Sequence, residues 1–477
     1  MNTSTVAVST FIENRTFDEI AIGDSASLSR TLCRRDIELF AAMSGDVNPA
    51  HMDPAYARTD LFHRVIAHGM WGGALVSTVL GTELPGPGTI YLSQDLHFHA
   101  PVGLGDTITV TVTAREKFAD RHRITFDCQC RNQDGVDVIL GSAQVQAPTE
   151  KIRRPRIELP EVRLASHDRF RALMAHAAAG TAIATAVAHP CDEVSLTAVI
   201  EAAKAGLIAP ILVGPAAKIN AAAKQAGLDI SAFRLVDTPH SHAAAAQAVA
   251  LVRGGQASLL MKGSLHTEEL MHAVVAADTG LRTERRLSHV YLMDVPDYAR
   301  PLLVTDAAIN IAPSLADKRD IIQNAIDLAR IMGISMPRVA VLSAVETVNP
   351  AIPSTVDAAA LCKMAERGQI TDGIVDGPLA FDNAISPDAA REKGIVSRVA
   401  GLADILVVPD LESGNMLAKQ LTFLAGADAA GVVMGARVPI ILTSRADSPR
   451  THVASCAVAV LVARASASHP MPVAVEA

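Results

Sequence analysis

From about residue 168 onward, the chain alternates between alanine-rich stretches and short apolar runs that end in Gly, Pro or Asp. Such alternation indicates βαβ units, in which helices connect the parallel strands of one sheet. The clearest apolar runs are Ala182–Val187, Ile211–Pro215, Ser258–Gly263, Val290–Asp294, Leu302–Asp306, Arg338–Ser343, Ile405–Asp410 and Pro439–Thr443. The pattern predicts an α/β fold with a parallel sheet for this part of the chain.

The part before residue 148 has a different character. Its runs have β-type composition, and they are Ile90–Phe98, Thr107–Ala114, His122–Cys130 and Val136–Gln146. A polar stretch broken by prolines follows, which is typical of an extended linker. We therefore predict a multidomain chain, with an α+β domain at 1–148, a linker at 149–165 and an α/β domain at 166–477.

The composition limits the partners that the chain can have. Its 477 residues carry a net charge of −8, and only 3% of them are aromatic. The low aromatic content argues against stacking on nucleobases. The negative charge argues against nucleic acid or an anionic membrane as the main partner. The cysteines are scattered without zinc-binding spacing and no signal peptide is visible, so we expect a cytoplasmic protein. The apolar stretch Ala454–Val462 is too short to span a bilayer.

An acid, Asp46, and an imidazole, His51, lie five residues apart. Gly45 and Asn48 beside them favour turns, and Asp36–Met43 before them has apolar residues at helical spacing. We expect a helix to end near Gly45 and the chain to bend back, so that both side chains reach one water and exchange protons with it. Alternatively, Asp46 only caps the turn.

A second feature lies at residues 67–76, which read as a glycine-rich entry into a small, apolar, buried helix. The first amides of such a helix are free to bind an oxyanion. Together with the strands that follow, segment 15–148 resembles the MaoC-like, (R)-specific enoyl-CoA hydratases, a single hot-dog fold. The motifs that carry this resemblance are Gly45-Asp46-x-Asn48-Pro49-x-His51, His68-Gly69-Met70 and Phe98-His99-Ala100-Pro101-Val102.

The resemblance implies reversible hydration of a trans-2-enoyl-CoA to an (R)-3-hydroxyacyl-CoA. Asp46 and His51 would share a water, one taking its proton as the oxygen attacks C3 and the other giving a proton to C2. The Gly69 amide would hold the thioester oxygen, and Asn48, placed with the substrate-binding residues, would fix the loop. One hot-dog unit leaves a sheet edge open, so we expect it to dimerise. A thioesterase is the alternative for this half.

The last apolar run ends at Thr443, and Ser444 and Arg445 follow it. Ser448 before Pro449 predicts a helix start, with serine as N-cap and proline in the first turn. Ser444 and Arg445 then lie between the carboxyl end of a strand and the amino end of a helix, where open α/β sheets bind ligands. Free amides and a guanidinium there suit phosphate. A capped surface loop with a solvated arginine is the alternative.

Residues 168–468 resemble the phosphate acetyltransferase and phosphate butyryltransferase family, and the butyryltransferases more closely. The segments that carry this resemblance are Leu260–Gly263, His266-Thr267, Thr305–Asn310, Asp376–Asp382, Ala403–Asp410, Gly414-Asn415 and Thr443–Ser448. The resemblance implies two α/β subdomains, with the second inserted at about 305–430 and the active site in the cleft between them. It also implies exchange of an acyl group between CoA sulfur and phosphate.

This chemistry requires a base for the thiol proton, a donor for the carbonyl oxygen and a cation for phosphate. Ser444 fits the donor and Arg445 the cation. In the acetyltransferases of this family, an aspartate lies a little further along the chain than the Ser-Arg pair. The same spacing without a gap leads here to about Thr451, which cannot act as a base. Asp447, the nearest carboxylate, is therefore assigned as the base.

Two further residues, Lys262 and His266, are assigned to substrate binding, at the CoA phosphates and in the cleft, with structural roles as the alternative. His97 and His99 share one face of a strand but lack a third ligand at plausible spacing, so we expect no metal site. No cofactor is expected, because CoA thioesters and phosphate are substrates.

These features together predict a bifunctional acyl-CoA enzyme, a lyase joined to a transferase, that works as a homo-oligomer. In one alternative, the first domain is an active hydratase and the second only binds acyl-CoA. In another, the second domain chiefly drives oligomerisation.

Overall fold

One large sheet organises each of two units, which comprise residues 1–164 and 165–477, and the first unit also contains a two-stranded sheet. A computed structural model describes residues 10–160, 162, 168–444 and 447–468. The predicted combination of an α+β part and an α/β part is confirmed.

The first unit is a five-stranded antiparallel sheet in the order β2-β4-β5-β6-β3, with a long helix, α4, against it. Single 3-10 turns lie at Phe17–Glu19 and Asp120–His122. Its strands and helices are β1 (Phe11–Glu13), β2 (Ser25–Thr31), α1 (Arg34–Ser44), α2 (Pro49–Met52), α3 (Pro54–Ala57), α4 (Gly69–Thr82), β3 (Ile90–Phe98), β4 (Thr107–Phe118), β5 (Arg123–Arg131), β6 (Asp137–Gln146) and β7 (Arg153–Pro155).

Helix α4 forms the centre of the first hydrophobic core. Its buried face includes Trp71, Val76 and Leu80, and it packs with inward residues of the sheet such as Val112 and Phe126. Burial of this apolar surface is the main force that holds the helix to the sheet. It also fixes the first turn of α4 relative to the loop that carries Asp46.

The segment predicted as a linker begins inside the first unit. Strand β7 pairs antiparallel with β1, and Phe11 lies opposite Pro155. The Asn14 side chain also donates to the Glu150 carbonyl at 2.8 Å. This part of the predicted linker is therefore structured, because its pairing partner lies more than a hundred residues away and local composition does not reveal it.

We expect Gly141→Ala to destabilise the first unit by about 1–3 kcal/mol. A Cβ on Gly141 would stand 1.9 Å from the backbone oxygen of Asp95, where β6 pairs with β3. The chain's single tryptophan, Trp71, is buried in α4, so its fluorescence during denaturant unfolding reports on this unit.

The matched control for that substitution is Gly81→Ala. An added Cβ at Gly81 meets nothing within 4 Å, and the residue lies inside α4. Alanine there should stabilise the helix by about 0.5–1 kcal/mol. Equal effects of the two substitutions would contradict the role of Gly141.

The second unit is one eleven-stranded sheet in the order β10-β9-β8-β11-β18-β17-β12-β13-β16-β14-β15. Its strands and helices are α5 (Asp168–Ala178), β8 (Ile183–Ala188), α6 (Glu193–Lys204), β9 (Ile208–Gly214), α7 (Ala216–Gln225), β10 (Arg234–Asp237), α8 (Ser241–Arg253), β11 (Leu259–Lys262), α9 (Thr267–Val275), β12 (Ser288–Asp294), β13 (Leu302–Thr305), α10 (Leu315–Ile331), β14 (Arg338–Leu342), α11 (Pro353–Glu366), β15 (Ile374–Leu379), α12 (Phe381–Ile385), α13 (Pro387–Glu392), β16 (Ile405–Val407), α14 (Leu411–Phe423), β17 (Asp428–Met434), β18 (Ile440–Ile441) and α15 (Pro449–Ser468).

The sequence predicted a parallel sheet, but this sheet is only partly parallel. Strands β10, β9, β8, β11 and β18 form one parallel set, and β13, β16, β14 and β15 form a second. Between the sets, β12 and β17 pair antiparallel with each other and with their outer neighbours. The chain enters the second set at β13 and returns at β17, so the second set is inserted in the first along the sequence.

Among the described residues, none of the helices has both the length and the apolar character needed to cross a membrane.

Candidate active sites

The loop after α1 bends as its residues require. Gly45 ends the helix with φ +77°, a left-handed conformation that favours glycine. The Asp46 carboxylate accepts from the Asn48 amide at 3.2 Å, and the Asn48 side chain accepts from the Ala50 amide at 3.0 Å, capping α2. Asn48 therefore holds the turn, and the turn brings Asp46 and His51 together.

His51 packs against a second histidine, His68, with ring centroids 4.1 Å apart and the ring planes tilted by 38°. The Nδ1 of His51 lies 3.0 Å from the Ile66 carbonyl, and the Nε2 of His68 lies 3.0 Å from the Asp46 carbonyl. Since carbonyls only accept, both nitrogens carry hydrogen. A neutral His51 thus presents the lone pair of Nε2, and one ligating atom each of Asp46, His51 and His68 lies within 4.8 Å of the others.

Gly69 is the first residue of α4, and His68 is its N-cap. The amides of a first helical turn have no carbonyl partner within the helix. A Cβ on Gly69 would stand 3.1 Å from Cε1 of Phe98, so the aromatic ring already lies close to this position. The helix start therefore offers an amide dipole next to the Asp46 loop, and its surroundings are partly apolar.

His68 had no role in the sequence analysis, although it precedes Gly69 in the motif. Its side chain is 3% exposed and stacks on Phe40 with ring centroids 4.9 Å apart. The burial and the bond to the Asp46 carbonyl make His68 the side chain that positions the loop. Only the fold brings the two segments together.

A cleft of about 1120 Å³ opens in the second unit. Its walls come from the ends of β11 and β18, the start of α9 and one side of α14. Residues that line it include Lys262, Leu265, His266, Thr267, Tyr291, Glu412, Asn415, Lys419, Asp428, Leu442, Ser444, Asp447 and Thr451. The cleft is large enough for a nucleotide-sized ligand, because drug-sized pockets span about 300–1,000 Å³.

Two hydrogen bonds join Ser444 and Asp447. The Ser444 amide donates to Oδ2 of Asp447 at 2.7 Å, and the Asp447 amide donates to the Ser444 carbonyl at 3.2 Å. The Ser444 amide, expected to bind phosphate, therefore already donates to the Asp447 carboxylate. Arg445 lies outside the described residues.

The predicted start of the last helix is confirmed. Helix α15 begins at Pro449, and the Ser448 hydroxyl accepts from the Thr451 amide at 3.2 Å. This cap fixes the start of the helix that follows Asp447.

Lys262, predicted to meet the CoA phosphates, and His266, predicted to line the cleft, are both among the residues that line it. Lys262 ends β11, is 8% exposed, and its Nζ donates to the Gly263 carbonyl at 3.3 Å. His266 is exposed and precedes the first residue of α9. Both side chains lie at the mouth of a parallel set of strands, where phosphate groups are commonly bound.

Two side chains that share a cavity or the cleft with Ser444 were not predicted from the sequence. His452 contacts the Thr443 hydroxyl through Nδ1 at 2.8 Å and lines a cavity of about 20 Å³ with Lys262 and Ser444. Burial lowers the pKa of His452, although the charge of Asp447 opposes the shift. Burial also raises the pKa of Tyr291, which lines the cleft and is a neutral phenol at physiological pH. In the sequence, His452 and Tyr291 stand out only as polar residues within apolar segments, which does not indicate a functional role.

Comparison with known proteins gives two family matches. Residues 20–129 match the model described as MaoC like domain, and residues 240–460 match phosphate acetyl/butaryl transferase. The first match covers most of the antiparallel unit, and the second covers much of the cleft. The chain is thus an N-terminal hot-dog domain joined to an acyltransferase fold, as predicted.

Individual relatives extend the second match. The chain is similar to a phosphate acetyltransferase of Rhizobium meliloti, at 66% identity over 63% of this chain and 95% of that protein. It is similar to a phosphate butyryltransferase of Clostridium acetobutylicum (strain ATCC 824), at 43% identity over 59% of this chain and 93% of the relative. A crystal structure of a branched-chain phosphotransacylase from Enterococcus faecalis is 32% identical, with a TM-score of 0.53, and the match covers 59% of this chain and 99% of the other.

The chain belongs to the phosphate acetyl/butyryl transferase family and carries a MaoC-like domain in front of it. The predicted pairing of a transferase with a lyase-type domain is confirmed. The expected closeness to the butyryltransferases is not supported, because the Rhizobium acetyltransferase is more similar than the Clostridium butyryltransferase.

Proposed function

We propose that the first domain hydrates a trans-2-enoyl-CoA to an (R)-3-hydroxyacyl-CoA, reversibly. The observation that carries the proposal is the convergence of Asp46 and His51, with the His51 lone pair on Nε2. The MaoC match of this segment supports it.

In the proposed reaction, one water lies between Asp46 and His51. His51 Nε2 accepts a proton from the water as the oxygen attacks C3, while the Asp46 carboxylate accepts the other hydrogen bond of the water. A proton then passes from this pair to C2, so the pair recovers its starting protonation. The Gly69 amide donates to the thioester oxygen as enolate charge develops.

We propose that the second domain exchanges an acyl group between CoA and phosphate. In one direction the CoA thiolate attacks the carbonyl carbon of an acyl phosphate, and phosphate leaves as the thioester forms. The Ser444 hydroxyl donates to the carbonyl oxygen in the tetrahedral state, Asp447 takes the thiol proton, and Lys262, His266 and Arg445 bind the anionic groups. The family relationship and the cleft beside Ser444 support this assignment.

Two assays on the full chain test both proposals. Crotonyl-CoA should lose its conjugated absorbance, and acetyl-CoA or butyryl-CoA should release thiol only when phosphate is present. One relative is named for acetyl transfer and another for butyryl transfer, so acetyl-CoA and butyryl-CoA are compared directly. Phosphate-independent thiol release from crotonyl-CoA would favour a thioesterase in the first domain. Absence of phosphate-dependent release would leave the second domain as a binding or assembly module.

We also propose that the first domain pairs with a second copy through β3. This strand lies at the end of its sheet and pairs only with β6 among the described residues. It exposes Ile90, Leu92 and Phe98, each by about half of its surface. An open edge with exposed apolar side chains is commonly covered by another chain.

We expect the full chain to be a dimer or larger by light scattering, with β3 amides protected from hydrogen exchange. Ile90→Lys should weaken the pairing, since it places a charge on that edge. Ser27→Lys, on the opposite edge strand β2, is the control and should leave the assembly unchanged. A stable monomer with rapidly exchanging β3 amides would rule out this interface.

We propose a cytoplasmic location. Among the described residues all six cysteines are free thiols, which suits a reducing compartment, and CoA and phosphate are abundant there.

A further inference from the structure

Two imidazoles and a carboxylate meet beside the first turn of α4. One ligating atom each of Asp46, His51 and His68 lies within 4.8 Å of the other two. Nitrogen and carboxylate oxygen are ligands that zinc-type divalent ions prefer. Asp46 lies in the turn before α2, His51 lies in α2, and His68 is the N-cap of α4; the hydrogen bonds described above hold these segments together.

Both imidazoles are oriented as metal ligands usually are. A ligating histidine typically donates its other ring N–H to a backbone carbonyl or carboxylate, which fixes its tautomer. His51 donates from Nδ1 to Ile66, and His68 donates from Nε2 to the Asp46 carbonyl. Their lone pairs are therefore on Nε2 of His51 and on Nδ1 of His68.

The lone pair of His68 is an independent indication that a ligand binds here. Its Nδ1 is buried and finds no hydrogen-bond partner among the described residues, and the side chain is only 3% exposed. A buried acceptor that lacks a partner costs free energy. Asp46 is exposed, so the carboxylate side of the site faces solvent.

We propose that Asp46, His51 and His68 bind one zinc-type divalent ion, and that this ion blocks hydration. The second half of the statement rests on the proposed hydratase function. The bound ion occupies the His51 lone pair and the Asp46 carboxylate, so neither group can move a proton between water and C2. The ion is an inhibitor here, and the reaction has no need of it.

The binding test uses the full chain after treatment with a chelator. Co²⁺, which replaces zinc and absorbs visible light, is titrated into the wild type and into Asp46→Asn, His51→Gln and His68→Gln. We expect one ion per chain in the wild type and at least about tenfold weaker binding in each variant. Binding should weaken as the pH falls, because both imidazoles must be neutral to ligate.

The matched control is His97→Ala. His97 is an exposed histidine of β3 whose Nε2 lies 3.0 Å from Asp95, an imidazole and carboxylate without a third ligand. This variant should bind Co²⁺ as the wild type does. The site assignment is overturned if the three variants bind like the wild type, or if only the control loses affinity. Asp46→Asn carries most weight, because Asp46 is exposed and its substitution spares the core.

Inhibition is read separately from binding. Zn²⁺ should suppress crotonyl-CoA hydration over the concentration range in which it binds, and a chelator should restore the rate. Zinc that binds without inhibiting, or that activates, would overturn the inhibitory role. A chain that binds Co²⁺ as described but never hydrates crotonyl-CoA would instead refute the proposed hydratase function and leave the ion site standing.

Discussion

Asp46→Asn should lower the rate of crotonyl-CoA hydration by about 10²–10⁴-fold and leave phosphate-dependent acyl transfer unchanged. Asparagine has nearly the same size as aspartate and can still accept from the Asn48 amide, so the turn is preserved. The lost property is the negative carboxylate that holds the water and takes part in proton movement. Rates are measured for both reactions on the same purified sample.

The matched control for this substitution is Asp53→Asn. Asp53 is another exposed loop aspartate, and it caps α3 by accepting from the Ala55 amide at 2.7 Å and the Tyr56 amide at 3.2 Å. Its substitution should preserve hydration. If Asp46→Asn hydrates crotonyl-CoA at the wild-type rate, the assignment of the acid–base pair is wrong. Loss of both reactions together would indicate unfolding, and Trp71 fluorescence identifies that case.

The second large effect is expected at Ser444. Ser444→Ala should reduce the turnover of acyl transfer by about 10²–10³-fold, which corresponds to about 2.7–4 kcal/mol of lost transition-state stabilisation. The substitution removes only the hydroxyl, because Asp447 is held by the Ser444 main-chain amide. Hydration of crotonyl-CoA should continue at the wild-type rate, and the KM for CoA should change little.

Two further variants test whether the effect of Ser444→Ala is specific. Ser231→Ala removes the hydroxyl of an exposed loop serine of the same unit and should leave the turnover of acyl transfer unchanged. Asp447→Asn can still accept from the Ser444 amide but cannot take a proton, so it should also slow the transfer. Full activity of Asp447→Asn would transfer the role of base to another residue of the cleft. Full activity of Ser444→Ala would contradict the assignment of the oxyanion donor.

The local sequence identified most of the strands of both units. The predicted strand Ile90–Phe98 has the bounds found in the structure, and Val290–Asp294 lies inside β12. Strand β17, Asp428–Met434, was missed, because its alanines and glycine give it no β-type composition. Strand β10, Arg234–Asp237, was missed because it is short and lies at the edge of the sheet.

Pairing over long sequence distances limited the prediction further. Strand β7 lies in the predicted linker, and its partner β1 lies before the first strand that was predicted. The antiparallel direction of β12 and β17 depends on where the chain enters and leaves the inserted strands. Neither property has a signature in the composition of the segments involved.

The sequence by itself determined the two-part organisation, the helix end at Gly45, the Asp46–His51 spacing and the capped start of α15. These follow from local rules of periodicity, turn formation and capping, which need only neighbouring residues. Tertiary structure alone decided that His68 packs against His51 and that His452 shares a small cavity with Ser444. These contacts depend on how sheet and helix pack, because burial and hydrogen bonding bring together side chains that the sequence leaves apart.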